Sequence, residues 1–366
     1  MPFTVLAILF LLIYPASCLG QVFQPGFRTM GMRSEEPAIR IDISIWYPTL
    51  RQPKDLQYPP WTINSALNAK PAEGRFPLLV LSHASPADRF AYHNLASFLA
   101  REGFIVAAPT HRNDWMNNMD SLFTWAQLAD RVRDINAVIS TLLSEKDFAA
   151  CLDQNRIGVI GFGSGGAAAL LLGGALPTAS IWAEYCPKAG KKDVYCSSWA
   201  QEKMNAMCAN FPIRRSLANP RIKAVAAIAP GFGMLFGSDS FRYFYTPLLL
   251  VCAGKDQFNT PRLHCEPIAR ILGSKARILE LPTADENALI APCPPALAEE
   301  LPELCQSVTI QERNAVHQKL SQALLAFFEH YLGVTGNIPI IPDPPDLEPE
   351  TAPEAPITGS RRRAQR

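Results

Sequence analysis

The stretch Arg156-Ile-Gly-Val-Ile-Gly-Phe-Gly-Ser-Gly-Gly166 indicates the fold most directly. Residues 157–160 are apolar and short in extent, as in a buried strand, and the glycine-rich turn after them opens an Ala- and Leu-rich segment of helical period. Repeated passage from strand to helix is typical of a parallel sheet with crossover helices. The turn follows the carboxyl end of its strand, where functional loops gather in such sheets, so it is a candidate site.

The rest of the chain repeats this alternation. Six apolar runs predict parallel strands that are buried on both faces, at 78–81, 104–108, 157–160, 222–229, 248–252 and 276–281. Segments of helical period lie between or after them, at 91–102, 122–143, 166–173, 261–272 and 315–331. Residues 39–47 alternate apolar and polar side chains and predict a half-buried antiparallel edge strand. We therefore expect a mostly parallel, doubly wound sheet of about eight strands.

Bulk composition is compatible with one large domain. The chain has 366 residues, 48% of them hydrophobic, and a net charge of +1. Both charge signs are mixed through the body, so no electrostatic footprint for nucleic acid is present. We expect the domain to span residues 21–333 and to recognise a small molecule or a protein.

Both ends of the chain differ from this body. Residues 1–20 contain an apolar run, then Pro15 and small residues, which predicts an export signal that leaves no transmembrane span after its removal. Export would deliver the protein to a periplasm or the exterior, and Cys18 is an alternative site of lipid attachment. Residues 334–366 are Pro- and Glu-rich and predict a disordered tail.

Cysteine spacing predicts two structural disulfides in an oxidising compartment, Cys186 with Cys196 and Cys293 with Cys305. The first pair lies in residues 176–220, which interrupt the strand-helix alternation and which we interpret as a lid-like insertion. Cys252 lies in an apolar run and predicts a buried free thiol. No cysteine or histidine spacing fits a metal site, so we expect neither metal nor cofactor.

Several local sequences resemble one family in their order along the chain. Pro77-Leu-Leu-Val-Leu-Ser-His-Ala84 is similar to a strand that ends in Ser-His-Gly, and Ala253-Gly-Lys-Asp256 is similar to the turn that carries a catalytic acid. Ala291-Pro-Cys-Pro-Pro-Ala-Leu-Ala298 resembles the segment after a catalytic histidine. Over about residues 35–333 the chain resembles the secreted dienelactone hydrolase-like branch of the α/β-hydrolases, related to platelet-activating-factor acetylhydrolases. The resemblance implies the α/β-hydrolase fold and carboxylic-ester hydrolysis.

The catalytic positions of the family transfer unevenly to this sequence. Its nucleophile belongs in the middle of G-x-S-x-G, an elbow between strand and helix, and that position is Gly163 here. The acid position is Asp256, which is either a retained triad member or a turn residue. The histidine position, seven residues before Cys293, is Glu286. We therefore expect the nucleophile and the histidine to be lost. We also expect the carboxylates of Asp256 and Glu286 to repel an oxyanion, and the pKa of one of them to be raised by the other.

Neighbouring residues leave alternatives open. Ser164 is either a relocated nucleophile, or a cap of the following helix whose backbone N–H serves as an oxyanion donor. The resemblance assigns His83 and Ala84 to the oxyanion loop, with the histidine structural or directed into the site. His93 and His111 are expected at the surface or in helix hydrogen bonds.

Three functions remain in competition. The first is an exported pseudo-hydrolase that binds a small ester-like or lipid-like ligand, or a protein partner, over the degenerate site. The second is an active esterase, lactonase or acetylhydrolase-like enzyme that uses Ser164, with Asp256 and Glu286 assisting. In the third, Gly161-x-Gly163-x-x-Gly166 binds a dinucleotide and Glu184 its ribose.

Overall fold

A ten-stranded sheet runs through the part of the chain that the computed structural model describes, residues 22–33, 40–211 and 216–334. In the order in which they lie side by side, the strands are β10, β9, β8, β7, β5, β6, β2, β1, β4 and β3. Their bounds are β1 Gln24–Arg33, β2 Arg40–Thr49, β3 Lys54–Tyr58, β4 Trp61–Leu67, β5 Phe76–Ser82, β6 Ile105–Pro109, β7 Leu152–Phe162, β8 Ile222–Ile228, β9 Leu248–Ala253 and β10 Ala276–Leu281.

The block from β10 to β6 is parallel throughout, whereas β2 pairs antiparallel with both β6 and β1. The described α-helices are α1 His93–Arg101, α2 Trp125–Ser144, α3 Lys146–Ala149, α4 Ser164–Gly173, α5 Tyr185–Ala189, α6 Ser198–Ala209, α7 Cys265–Leu272, α8 Pro295–Glu300, α9 Pro302–Cys305 and α10 Ile310–Leu332. Short 3-10 turns span Trp182–Glu184, Val194–Cys196, Gly233–Leu235, Ser238–Phe241, Gly273–Lys275 and Asn287–Leu289.

Both faces of the parallel strands from β9 to β6 are buried over their apolar runs, as predicted. The burial predicted for residues 276–281 is wrong, because β10 is an edge strand and most of its residues are exposed or half-buried. Leu78 and Val80 of β5 pack into a core with α2 and α4, and Leu79 and Leu81 pack into a second core with α1 and α10. Full burial of such side chains stabilises the fold by about 1.5–3 kcal/mol each. Every residue of α4 is buried, which explains why its sequence is apolar on all sides.

The predicted α/β-hydrolase fold with a mostly parallel sheet is confirmed, with ten strands in place of about eight. The edge position predicted for residues 39–47 is wrong, because β1 pairs with the full length of β2 and covers it. The sequence of β1, with Pro25, Gly26 and Gly31, lacks the apolar pattern that predicted the other strands. The terminal segments predicted as an export signal and a disordered tail, residues 1–20 and 334–366, lie outside the described residues, apart from Val334.

Three disulfides are present among the described cysteines. Cys186–Cys196 and Cys293–Cys305 confirm the predicted pairs, with Cα–Cα distances of 5.5 and 5.7 Å. The free thiol predicted at Cys252 is wrong, because this residue of β9 is bonded to Cys265 at the start of α7. Its apolar surroundings predicted burial correctly, but they carry no information about a partner on another element.

Residues 176–211 and 216–220 connect α4 to β8 and contain α5 and α6. Within the described ranges, no helix combines the length and the apolar character that a membrane span requires.

Candidate active site at the elbow turn

The turn between β7 and α4 has the form of a nucleophile elbow without its side chain. Gly163 lies between them with φ 54° and ψ −118°, a conformation that costs a residue with a Cβ about 1–3 kcal/mol. A Cβ on Gly161 would overlap the Gly165 carbonyl, and one on Gly165 would overlap the Ser82 carbonyl. A Cβ on Gly163 would instead meet only the Ala84 methyl closely, at 3.1 Å. Packing therefore requires the outer two glycines, while the central one lies where a side chain nearly fits.

Asp256 occupies the acid position, in the turn after β9. Its Oδ1 accepts hydrogen bonds from the backbone N–H groups of Phe258 and Asn259, at 2.9 and 2.7 Å. Its Oδ2 is buried and has no hydrogen-bond partner. Burial, with a further contribution from nearby Glu286, raises the pKa of Asp256 to about 7. One carboxyl oxygen is thus held by two backbone N–H groups, and the other is buried without a hydrogen-bond partner.

Glu286, at the position that the resemblance gives to the histidine, hydrogen-bonds to the backbone of the Asp256 turn. Its Oε2 accepts a hydrogen bond from the backbone N–H of Gln257, at 3.0 Å. This contact brings Glu286 beside the Asp256 turn without a hydrogen bond between the two carboxyls. The raised pKa of Asp256 agrees with the repulsion expected between them, although burial is the larger cause.

None of the six histidines of the chain, all of which lie in described residues, hydrogen-bonds Asp256. Five have other partners. These are His83 with Ala84 and His111, His93 with Phe90, His111 with Ser82 and Asp134, His264 with Tyr185 and Gly233, and His317 with Asn94 and Ile290. The sixth, His330, is exposed near the end of α10. Asp256 therefore has no imidazole to orient.

The loop after β5 lies against the elbow, where the resemblance placed the oxyanion loop. His83 is fully buried, and its Nε2 accepts a hydrogen bond from the His111 backbone N–H. Its Nδ1 therefore carries the proton and donates it to the Ala84 carbonyl. Burial, with the charge of Arg131, lowers the pKa of His83 well below its usual value. The neutral ring is structural, and its hydrogen bond to Ala84 holds the loop in which the Ala84 methyl faces Gly163.

Ser164 is the first residue of α4 and is bonded to the same loop. Its Oγ lies 3.2 Å from Ser85 Oγ, and Ser85 donates a short hydrogen bond to Asp114 Oδ1. The cap predicted at Ser164 is wrong, because Gly163 occupies the N-cap position of α4 and the hydroxyl points to Ser85. Among the described residues no histidine hydrogen-bonds Ser164, and Asp256 and Glu286 hydrogen-bond to the backbone of residues 257–259.

A second Ser-His-Asp arrangement lies beneath the loop, and it was not predicted. Ser82 Oγ is 2.8 Å from His111 Nε2, and His111 Nδ1 is 3.1 Å from Asp134 Oδ2. All three residues are fully buried, and Arg131 also donates to Ser82. The surface position predicted for His111 is therefore wrong, whereas His93 does hydrogen-bond within its helix start. Without access for a substrate, this arrangement satisfies buried polar groups and holds the loop in place.

Two side chains near Gly163 were missed by sequence reasoning. The Asn259 amide nitrogen lies 3.7 Å from the Cβ position of residue 163. Tyr195, from the insertion, donates its hydroxyl proton to Asn259 Oδ1 at 3.1 Å and accepts the Phe232 backbone N–H at 3.3 Å. Burial raises the pKa of Tyr195, so the phenol stays neutral. The nearest signal in the sequence was the position of Tyr195 directly before a predicted disulfide cysteine.

The dinucleotide interpretation finds no support in the geometry. Glu184 lies on a 3-10 turn of the insertion, exposed and paired with Lys188 at 2.7 Å, whereas a ribose-binding acid ends the next parallel strand. Among the described residues, no cluster of three or more His, Cys, Asp or Glu side chains could hold a metal ion.

Comparison with known proteins agrees with this architecture. A family model described as platelet-activating factor acetylhydrolase, isoform II, matches residues 55–129, a stretch that ends before the elbow. No curated protein matches the chain. The fold is similar to that of a ferulic acid esterase from Streptomyces cinnamoneus, with a TM-score of 0.58 and 17% identity over 87% of this chain and 92% of that one.

A candidate dipeptidyl aminopeptidase IV from Bacteroides ovatus is a weaker match, with a TM-score of 0.48 and 12% identity over 84% of this chain and 36% of that one. The sheet, the elbow turn, the matched segment and the esterase neighbour lead to one assignment. The chain has the α/β-hydrolase fold.

Proposed function

We propose that this chain is a non-catalytic α/β-hydrolase that keeps a binding site at the elbow for a small ester-like or lipid-like ligand, or for a protein partner. One observation carries the proposal. The Asp256 carboxyl accepts backbone hydrogen bonds through Oδ1, yet its buried Oδ2 has no hydrogen-bond partner, and residue 163 at the elbow is a glycine.

Acyl transfer by a serine needs a base within about 2.6–3.2 Å of the hydroxyl, and a group that orients that base. At this elbow the hydroxyl is missing at Gly163 and the imidazole is missing at Glu286. What remains is a carboxyl whose pKa is raised to about 7, with Glu286 beside it. Charge of that sign would destabilise a tetrahedral oxyanion, because it repels the negative oxygen.

The competing function, an esterase that uses Ser164, rests on the chain of hydroxyls from Ser164 through Ser85 to Asp114. Because Ser85 gives its proton to Asp114, Ser164 would have to donate to Ser85, which is the direction that a proton relay requires. Burial opposes ionisation of Asp114, but Arg131 and the Ser85 hydrogen bond outweigh it and hold the pKa of Asp114 below its usual value. Such a carboxylate is a weak base, which favours the non-catalytic function.

Export of the protein is part of the proposal. The apolar run in residues 3–14 supports it, and so do three disulfides, which persist in oxidising compartments. Fractionation of cells that express the full chain tests it, since a protein confined to the cytoplasm with free thiols would contradict export.

Hydrolysis of p-nitrophenyl acetate and butyrate tests the loss of catalysis. We expect no release of nitrophenol above the rate of denatured protein, both for the wild type and for Ser164→Ala. Ser274→Ala is the matched control, because Ser274 is exposed on a short turn. Turnover that Ser164→Ala abolishes and Ser274→Ala retains would establish the esterase instead.

Restoration of the triad tests the placement of the site. Gly163→Ser with Glu286→His should remain inert, because the Asn259 amide nitrogen lies 3.7 Å from the Cβ position at 163 and would occupy space next to the new serine hydroxyl. Addition of Asn259→Gly clears that space, so the triple variant should gain ester turnover. A folded triple variant without turnover would show that the site has been placed wrongly.

A further inference from the structure

Three side chains around the elbow share one sequence feature, since each stands immediately before a disulfide cysteine. The pairs are Tyr185 with Cys186, Tyr195 with Cys196, and His264 with Cys265. The first two belong to the insertion and to one disulfide. The third belongs to the domain beneath, where its cysteine is bonded to Cys252 of β9.

Tyr195 covers the elbow. Its hydroxyl bonds Asn259 and the Phe232 N–H, and it lies 2.9 Å from the Cβ position of Gly231. That same position is 3.5 Å from the Gly163 carbonyl carbon, so the phenol oxygen lies next to the turn. The ring is only 5% exposed. A ligand that reaches Gly163 from the insertion side must displace it.

A hydrogen bond between Tyr185 and His264 connects the insertion to the domain, and its donor and acceptor can be assigned. His264 Nδ1 accepts the Gly233 backbone N–H at 3.0 Å, so its proton is on Nε2, which donates to the Tyr185 hydroxyl at 2.8 Å. Tyr185 then donates to Asp193 Oδ2 at 3.0 Å, and Asp193 Oδ1 accepts the Tyr195 backbone N–H. Asp193 thereby links Tyr185, which is hydrogen-bonded to His264, with Tyr195, which lies at the elbow.

The two disulfides differ in exposure. Cys252 and Cys265 are 7% and 1% exposed, so a reductant in solution has little access to either sulfur. Cys186 is partly exposed, whereas Cys196 is 6% exposed, so a reductant reaches this bridge through the Cys186 sulfur. The bridge closes the segment that holds Asp193 and Tyr195. Thiol–disulfide exchange needs access to a sulfur, so reduction should be selective for this bridge over the buried one.

We propose that the Cys186–Cys196 disulfide holds Tyr195 against the elbow, and that its reduction by a dithiol releases Tyr195 and opens the ligand site at Gly163. A thiolate of the dithiol attacks one sulfur of the bridge and releases the other cysteine, and its second thiol then attacks the resulting mixed disulfide and releases the first cysteine. Two electrons and two protons pass to the bridge, which yields two cysteine thiols and the oxidised dithiol. The inference rests on the proposed function, since it describes the regulation of that binding site.

Two backbone amides report on the lid directly. The Phe232 N–H is bonded to the Tyr195 hydroxyl, and the Gly233 N–H is bonded to His264. We expect dithiothreitol to speed hydrogen exchange of the Phe232 amide at least tenfold in the full chain. The variant Cys186→Ser with Cys196→Ser should do the same without reductant. Tyr195→Phe, with the disulfide intact, should expose the Phe232 amide and leave the Gly233 amide protected.

Cys293→Ser with Cys305→Ser is the matched control, because this bridge has a similar sequence separation, 12 against 10, and joins other elements. It should leave the Phe232 amide unchanged. Equal protection of that amide in oxidised and reduced protein would overturn the inference. An equal increase in the exchange rate of the Ala227 amide, in the central strand β8, would also overturn it, because such an increase indicates unfolding of the domain and not local release of Tyr195. Ester turnover in these samples would refute the proposed function alone, since the amide exchange is read independently of it.

Discussion

Replacement of Asp256 by asparagine should stabilise the protein at alkaline pH. Asp256 is 3% exposed and its pKa is raised from 3.8 to about 7, chiefly by burial. The folded state therefore binds the proton more tightly than the unfolded chain. Below pH 3.8 the carboxyl is protonated in both states and carries no penalty. As the pH rises the unfolded state gains by ionising first, and above pH 7 the full penalty of about 4 kcal/mol is present.

Asparagine removes that penalty and keeps the geometry, because its Oδ1 can still accept the N–H groups of Phe258 and Asn259. Between pH 5 and pH 8 the free energy of unfolding of the wild type should fall, relative to Asp256→Asn, by about 2.5 kcal/mol. Urea unfolding at the two pH values measures this difference. Asp120→Asn, at an exposed carboxyl, is the matched control and should follow the wild type. Parallel pH profiles for wild type and Asp256→Asn would refute the reasoning, since they would mean that the buried carboxyl ionises without penalty.

Three further variants test the elbow and its support. Gly163→Ser should lower the free energy of unfolding by about 1–3 kcal/mol in urea titration, because serine must adopt φ 54°. Gly161→Ala should cost more than Gly163→Ser in the same titration, or prevent folding, since its methyl would overlap a backbone carbonyl. Arg131→Met should cost about 3–5 kcal/mol, measured by thermal or urea unfolding, because it leaves the carboxylate of Asp114 buried without its charged partner.

The sequence predicted those parts of the fold that are determined by residues close together along the chain. The strand at 157–160, the glycine turn and the cysteine pairs ten to twelve residues apart are each determined by neighbours along the chain. Strand β1 was missed because its mixed, glycine-containing sequence pairs with β2 only in the folded sheet. The disulfide of Cys252 was missed because burial and pairing are separate properties, and only the first shows in an apolar run.

In the candidate site, too, the sequence predicted only the residues that have a local signal. Gly163, Asp256 and Glu286 could be placed by counting from landmarks, because each has a fixed position in a motif. Asn259 and Tyr195 could not, since they reach the elbow from a turn and an insertion whose packing is set by tertiary contacts. Their identities bear on what the site can bind, because an amide and a neutral phenol lie near Gly163 and no histidine in the described residues hydrogen-bonds Asp256.

Gly163 has no side chain, yet a buried charged network supports the loop that faces it. Arg131 is fully buried, pairs with Asp114, and donates to the carbonyl of His83, so the loop facing Gly163 is held by a charged network. Burial of such charges is costly unless each is paired, and a broken pair would be strongly destabilising. Because this network holds the loop beside Gly163 whether or not a reaction takes place there, it supports the proposed binding role by keeping the shape of the elbow.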